Sequence, residues 1–133
     1  MNITYVSFFV NGITTAEDYY LPVPADSSPY SVVSAVFLPS AAVTADGTNH
    51  WTVALKATDG EAGTPGSSMG GFTTDSGASG ISLAVNDKVA ISLTAGNAQI
   101  EAGGSVLIDI DEGGTASALE GVFLLGLQKR PPA

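Results

Sequence analysis

The chain has 133 residues, 44% of them hydrophobic, with a mean hydropathy of +0.28. That suits one packed domain and is too apolar for a disordered segment. Acidic residues outnumber basic ones 13 to 4, a formal net charge of −9, and no Lys/Arg stripe exists to meet the phosphates of a nucleic acid or an anionic membrane. Cysteine is absent, which excludes disulfides, thiolate metal centres and a cysteine nucleophile.

The opening "MNITYVSFFVNG" lacks a basic region and a small-residue cleavage site, so no secretory leader is expected. Apolar runs such as "VFLL" fall far short of a membrane span. Residues 2–10, "NITYVSFFV", are rich in β-branched and aromatic types and read as a strand ending at the turn signal Asn11-Gly12. Residues 18–24, "DYYLPVP", read as an extended segment that Pro22 and Pro24 confine to a sheet edge. "YSVVSAVFLP", 30–39, is a third strand, stopped by Pro39. Asp46-Gly47 and Asp59-Gly60 bracket a fourth, which contains "NHWTVALKA".

Residues 58–80 hold seven glycines and, apart from Met69 and Phe72, almost no apolar side chain. They read as a long Gly-rich loop. "DKVAISLTAGN", 87–97, alternates Val89, Ile91 and Leu93 against Lys88, Ala90, Ser92 and Thr94. "SVLIDID", 105–111, sets Val106, Ile108 and Ile110 opposite Leu107, Asp109 and Asp111. The segment 119–129, "LEGVFLLGLQK", is apolar on both faces if a strand; a short helix fits Leu119, Val122, Phe123 and Leu127, but Gly121 and Gly126 weigh against it. Seven or eight short strands without a convincing helix predict an all-β, single-domain β-sandwich of jelly-roll type over residues 1–133, with a flexible tail at 129–133.

The only histidine and the only tryptophan are adjacent, at 50 and 51. Strand alternation turns Trp51, Val53 and Leu55 to the core and His50, Thr52, Ala54 and Lys56 away from it. The two rings therefore cannot act together on one ligand. A single histidine cannot build a cupin-type metal centre, and no G-x-S-x-G elbow accompanies the serines. Asp109, Asp111 and Glu112 form the one carboxylate group that could bind Ca²⁺ through oxygen, but the EF-hand spacing is absent. No enzyme and no cofactor are expected.

Edge strands of soluble sandwiches are normally guarded by lysine, proline or bulges. Here the strands near 30–38, 89–93 and 119–127 are almost free of charge. Some edge or face is thus expected to be covered by another copy, with apolar residues of the first or last strand in the contact. In the tail "QKRPPA", Lys129 and Arg130 are the only paired cations and are candidates for contact with a partner.

The succession "YYLPVPADSSPYSVVSAVFLPSAAVTADGTNHWTVALKA", a Gly/Ser/Thr-rich stretch, then "LAVNDKVAISLTAGNAQIEAGGSVLIDID" resembles small all-β head decoration (cement) proteins of tailed phages. The likeness covers roughly residues 18–112 and is a pattern of strands and turns, not a catalytic signature. Asn86 stands where glycine is usual, and the first seventeen residues and the end of the chain do not match. The resemblance implies a jelly-roll-like virion protein, made in the host cytoplasm, that binds the outside of an assembled capsid lattice. It implies a trimer, the major capsid protein as partner, and stabilisation of the shell without chemistry. The rival reading is a glycan- or receptor-binding module of a tail fibre or adhesin. Its support is Tyr19, Tyr20 and Tyr30, whose rings could stack on sugars or contact a partner.

Overall fold

Nine strands form two antiparallel sheets in a computed structural model that describes residues 2–24, 26–59 and 63–131. They are β1 (Ile3–Ile13), β2 (Glu17–Pro22), β3 (Tyr30–Pro39), β4 (His50–Thr58), β5 (Pro65–Thr73), β6 (Val89–Ala90), β7 (Gln99–Ile100), β8 (Ser105–Gly113) and β9 (Leu119–Lys129). One sheet runs β1-β9-β3-β6, with β7 also pairing with β3; the other runs β2-β8-β4-β5. If β6 and β7 are taken as two pieces of one interrupted strand, the chain winds between sheets in the order of a jelly roll. The expected β-sandwich is what the chain adopts. Among the described residues no helix is long and apolar enough to cross a membrane.

The core follows from strand alternation. Trp51, Val53 and Leu55 of β4 and Val106, Ile108 and Ile110 of β8 turn inward and are buried. They meet Val32, Ala35 and Phe37 of β3 and Leu119, Phe123, Leu125 and Leu127 of β9 from the other sheet. A three-ring stack joins the layers: Phe37 lies 4.6 Å from Phe123 and 5.3 Å from Phe72, centroid to centroid. The Trp51 indole nitrogen donates to the Ser117 carbonyl at 2.7 Å, so burying the ring leaves no polar atom unpaired.

Three expectations need correction. Asn11-Gly12 is not the turn that ends the first strand. It is a bulge inside β1, between the pairs Val10↔Gly121 and Ile13↔Leu119, and Gly12 takes the positive φ of 61° that the extra residue requires. The Gly-rich stretch 58–80 is not one loop: residues 65–73 pair with β4 as an edge strand, and Asp75 caps a short 3-10 turn over Ser76–Ala78. Residues 60–62 of that stretch lie outside the described residues. The glycines are what let this strand form. A side chain on Gly71 would collide with the Val53 carbonyl, and one on Gly70 with the carbonyl of Ser92. Met69, wholly buried, and Phe72, partly buried against the core, anchor it.

The strand expected over 87–97 is regular only at Val89–Ala90. Its inward face is as expected, because Val89, Ile91 and Leu93 all pack on the core. Beyond Ala90 the chain bridges the two sheets: Ile91 still donates to the Ala35 carbonyl of β3 at 3.0 Å, and Thr94 donates to the Met69 carbonyl of β5 at 2.7 Å. Residues 119–129 form the strand β9, as Gly121 and Gly126 favoured. It lies between β1 and β3, so both its backbone edges are paired.

Candidate interaction surfaces

The two outer faces of the sandwich differ in chemistry. On the β2-β8-β4-β5 sheet the outward positions are Asp18 and Tyr20, Asp109 and Asp111, then Thr52, Ala54 and Lys56. Asp18 is the direct cross-strand partner of Asp109. Lys56 bridges to Asp109 at 2.9 Å. Partial desolvation raises the Asp18 carboxyl above its ordinary value, and the charge and hydrogen bond of Asp109 push the same way. The hydrogen bond from Lys56 to Asp109 holds the ammonium in its charged form.

The three carboxylates considered for Ca²⁺ do not converge. Asp109 and Asp111 share the outer face, whereas Glu112 turns to the other side and accepts from the Ala116 amide at 3.0 Å. No group of three or more potential metal ligands occurs among the described residues. Strand alternation separates Glu112 from its neighbours.

His50 points away from the core, as expected, yet it is not free in solvent. Its side chain is 19% exposed and packs on Gly113, with Nε2 3.7 Å from an Asp75 carboxylate oxygen. Nδ1 is buried without a hydrogen-bond partner. Trp51, on the opposite face, is wholly buried.

The tyrosines do not form one platform. Tyr30 is 4% exposed and its hydroxyl donates to Asp26 at 2.6 Å, which removes it from the partner-contact candidates. Tyr19 is half-buried against Phe8, with ring centroids 4.6 Å apart. Of Tyr19, Tyr20 and Tyr30, only Tyr20, 54% exposed, presents its ring outward. The cause is alternation again, since Tyr19 and Tyr20 are neighbours in β2 and leave it on opposite sides.

The basic pair is also engaged within the fold. Arg130 donates to the Tyr30 carbonyl at 3.1 Å and to the Ile100 carbonyl at 3.0 Å, while its own amide donates to Pro29. It clasps the end of β9 to β3 and β7, so the expected flexible tail is tied down at this residue. Lys129 reaches Asp26 at 3.3 Å and remains largely exposed. Residues 132–133 lie outside the described residues. An open cleft of about 520 Å³ lies beside Arg130, lined by Pro29, Gln99 and Glu101 among others.

The outer face of the β1-β9-β3 sheet is of another kind. Among the described residues nine large hydrophobic ones are exposed, and six of them are here: Ile3, Tyr5, Phe9, Val33, Leu38 and Leu124. Ser7, Ser34 and Gly126 lie between them, and a charge, Glu120, sits at the end of β9 beside the Gly12 bulge, where it accepts from Ser40 at 2.9 Å. The sequence marked β3 and β9 as almost uncharged and the first or last strand as a contact, but it did not mark this face. "ITYVSFFV" is apolar at odd and even positions alike, and the signal was the double-sided pattern itself.

No protein-family model matches the chain, and no curated protein matches it. One solved structure, described by the statement "Bacillus endospore appendages form a novel family of disulfide-linked pili", aligns with 98% of this chain and 89% of its own. Identity is 16% and the TM-score 0.38. At those values the likeness carries no functional inference.

Proposed function

We propose that the chain is a non-catalytic structural subunit that decorates the outside of an assembled phage capsid and stabilises it. The supporting observation is the segregation of its surface into an uncharged apolar sheet face and an acidic one. Three strands of about ten residues present roughly 500 Å² of sheet, from a rise of about 3.3 Å per residue and a spacing of about 4.8 Å. That lies toward the top of the range of apolar patches on ordinary monomers, about 300–600 Å². It falls short of the roughly 800 Å² per partner of a standard interface. A single subunit would bind weakly through such a face. Many subunits on one lattice would add their linkage free energies, each about 2.7 kcal/mol at a concentration 100-fold above Kd.

The resemblance of residues 18–112 to head decoration proteins supports a tailed-phage capsid as the shell. The fold supports a rigid platform for this role, and the acidic face, turned outward, meets no opposing charge. Co-sedimentation of the purified chain with empty tailed-phage capsids tests the reading. Saturable binding that raises the capsid's melting temperature is expected. Binding to a glycan array with no capsid affinity would select the receptor-binding rival instead.

A further inference from the structure

Four strand edges close the two sheets, and three carry the usual guards against pairing with another chain. β2 has Glu17, Asp18 and Pro22. β5 begins at Pro65 and is broken from β4 by two register shifts. β6 and β7 are two residues long, with Lys88 beside the first. The fourth edge is β1, and it has none of these along its regular part. It is eleven residues long, contains no charge and no proline, and keeps an unbroken register with β9 from Ile3 to Val10. Among the described residues it pairs on one side only. Alternate residues of such a strand direct N–H and C=O groups to the open side, where only water meets them.

We propose that this edge is the site of self-association: β1 of one copy pairs antiparallel with β1 of a second copy about a two-fold axis at Ser7. The occupant follows from charge. A chain of net charge −9 repels its own copies almost everywhere, but β1 brings no charge to the contact. A cationic partner would be drawn to the acidic face, not to this strand.

The register follows from side-chain direction. In a continuous sheet, opposed residues must lie on the same face, so the axis passes through a residue and not between two. Centring on Ser7 sets Tyr5 against the partner's Phe9, and Phe9 against the partner's Tyr5, on the outer face. Beneath, Val6 meets the partner's Phe8. Centring on Val6 or Phe8 leaves at least one exposed ring opposite a serine or asparagine. Pairing would also join the two apolar faces into one surface of roughly 1,000 Å², twice the single-face estimate. That exceeds what a standard interface requires of one partner. The statement that the doubled face is what a shell contacts rests on the decoration reading; the pairing itself does not.

The natural absence of cysteine makes the test clean. Ser7→Cys should give a covalent dimer with a short thiol crosslinker, because opposed Cα atoms in an antiparallel pair lie about 4.5–5.5 Å apart. Ser34→Cys, on the same face but two strands inward, should not. Sedimentation of the unaltered chain should show a dimer at tens of micromolar. Phe9→Lys should shift it to monomer while leaving the melting curve cooperative. A monomeric or trimeric parent chain would overturn the pairing, as would efficient crosslinking through residue 34, which signals faces stacked on each other. Capsid co-sedimentation of the same variants keeps the two ideas apart. A dimer that ignores capsids sinks the decoration reading alone, and a parent monomer that binds them sinks the pairing alone.

Discussion

At the scale of the residue, the sequence conveyed direction better than company. Alternation placed Trp51, Val53 and Leu55 inside and His50 outside, because direction in a strand is a local property. It could not show that Asp18 faces Asp109 across 91 positions, since that depends on how β2 and β8 register. The consequence is measurable. Asp18 titrates above its ordinary value of 3.8 in the folded chain. A raised carboxyl pKa means that the folded state binds the proton more tightly than the unfolded state. Its contribution to stability is then fully present below about 3.8 and is lost as pH rises through the folded value. At neutral pH the charged Asp18 opposes folding. Asp18→Asn should therefore stabilise the fold at pH 7, by no more than about 0.5 kcal/mol at a position where water screens the repulsion, read as a small rise in melting temperature. The gain should vanish near pH 3. A variant less stable than the parent at pH 7 would show that Asp18 is held by favourable contacts instead.

Elements were legible where hydrophobic periodicity was intact, and illegible where glycine replaced it. β4 and β8 announce themselves through buried alternation, and β3 and β9 through apolar runs that glycine or proline interrupts. β5 does not, because its sequence "PGSSMGGFT" resembles loop chemistry. What makes it a strand is non-local: Gly71 fits under the Val53 carbonyl, while Phe72 joins the ring stack with Phe37 and Phe123. Gly71→Val should cost about 3 kcal/mol in urea denaturation, since the obstructing atoms are backbone and cannot move aside. Gly66→Val is the control. A Cβ there meets only the Ala57 carbonyl at 3.4 Å, an ordinary contact, so a change within about 0.5 kcal/mol is expected. Equal costs at both sites would mean that β5 contributes through its general flexibility and not through this close approach. Arg130 repeats the lesson on a smaller scale. Its place in "QKRPPA" suggests a loose tail, and only the fold reveals the carbonyls of Tyr30 and Ile100 waiting for it.

For the whole molecule, composition foretold an uncharged surface somewhere without locating it, because a strand apolar on both sides does not declare which side the other sheet covers. If copies meet through β1, the only electrostatic contribution is the mutual repulsion of two acidic bodies. Raising ionic strength from about 0.01 to 0.15 M shortens the Debye length from about 30 to 8 Å. Self-association should strengthen over that range by sedimentation equilibrium, whereas a contact built on Lys129 or Arg130 would weaken.

The central place of β9 has a consequence for biosynthesis. Its neighbours on both sides, β1 and β3, are made long before it. Until residues 119–129 leave the ribosome, the first strand has nothing to pair with inside its own chain, and its aromatic stretch waits in the open. Nascent polypeptides translated side by side on one messenger could meet there before either is finished. Slowing elongation just upstream of codon 119 would prolong that interval and should increase misassembled product.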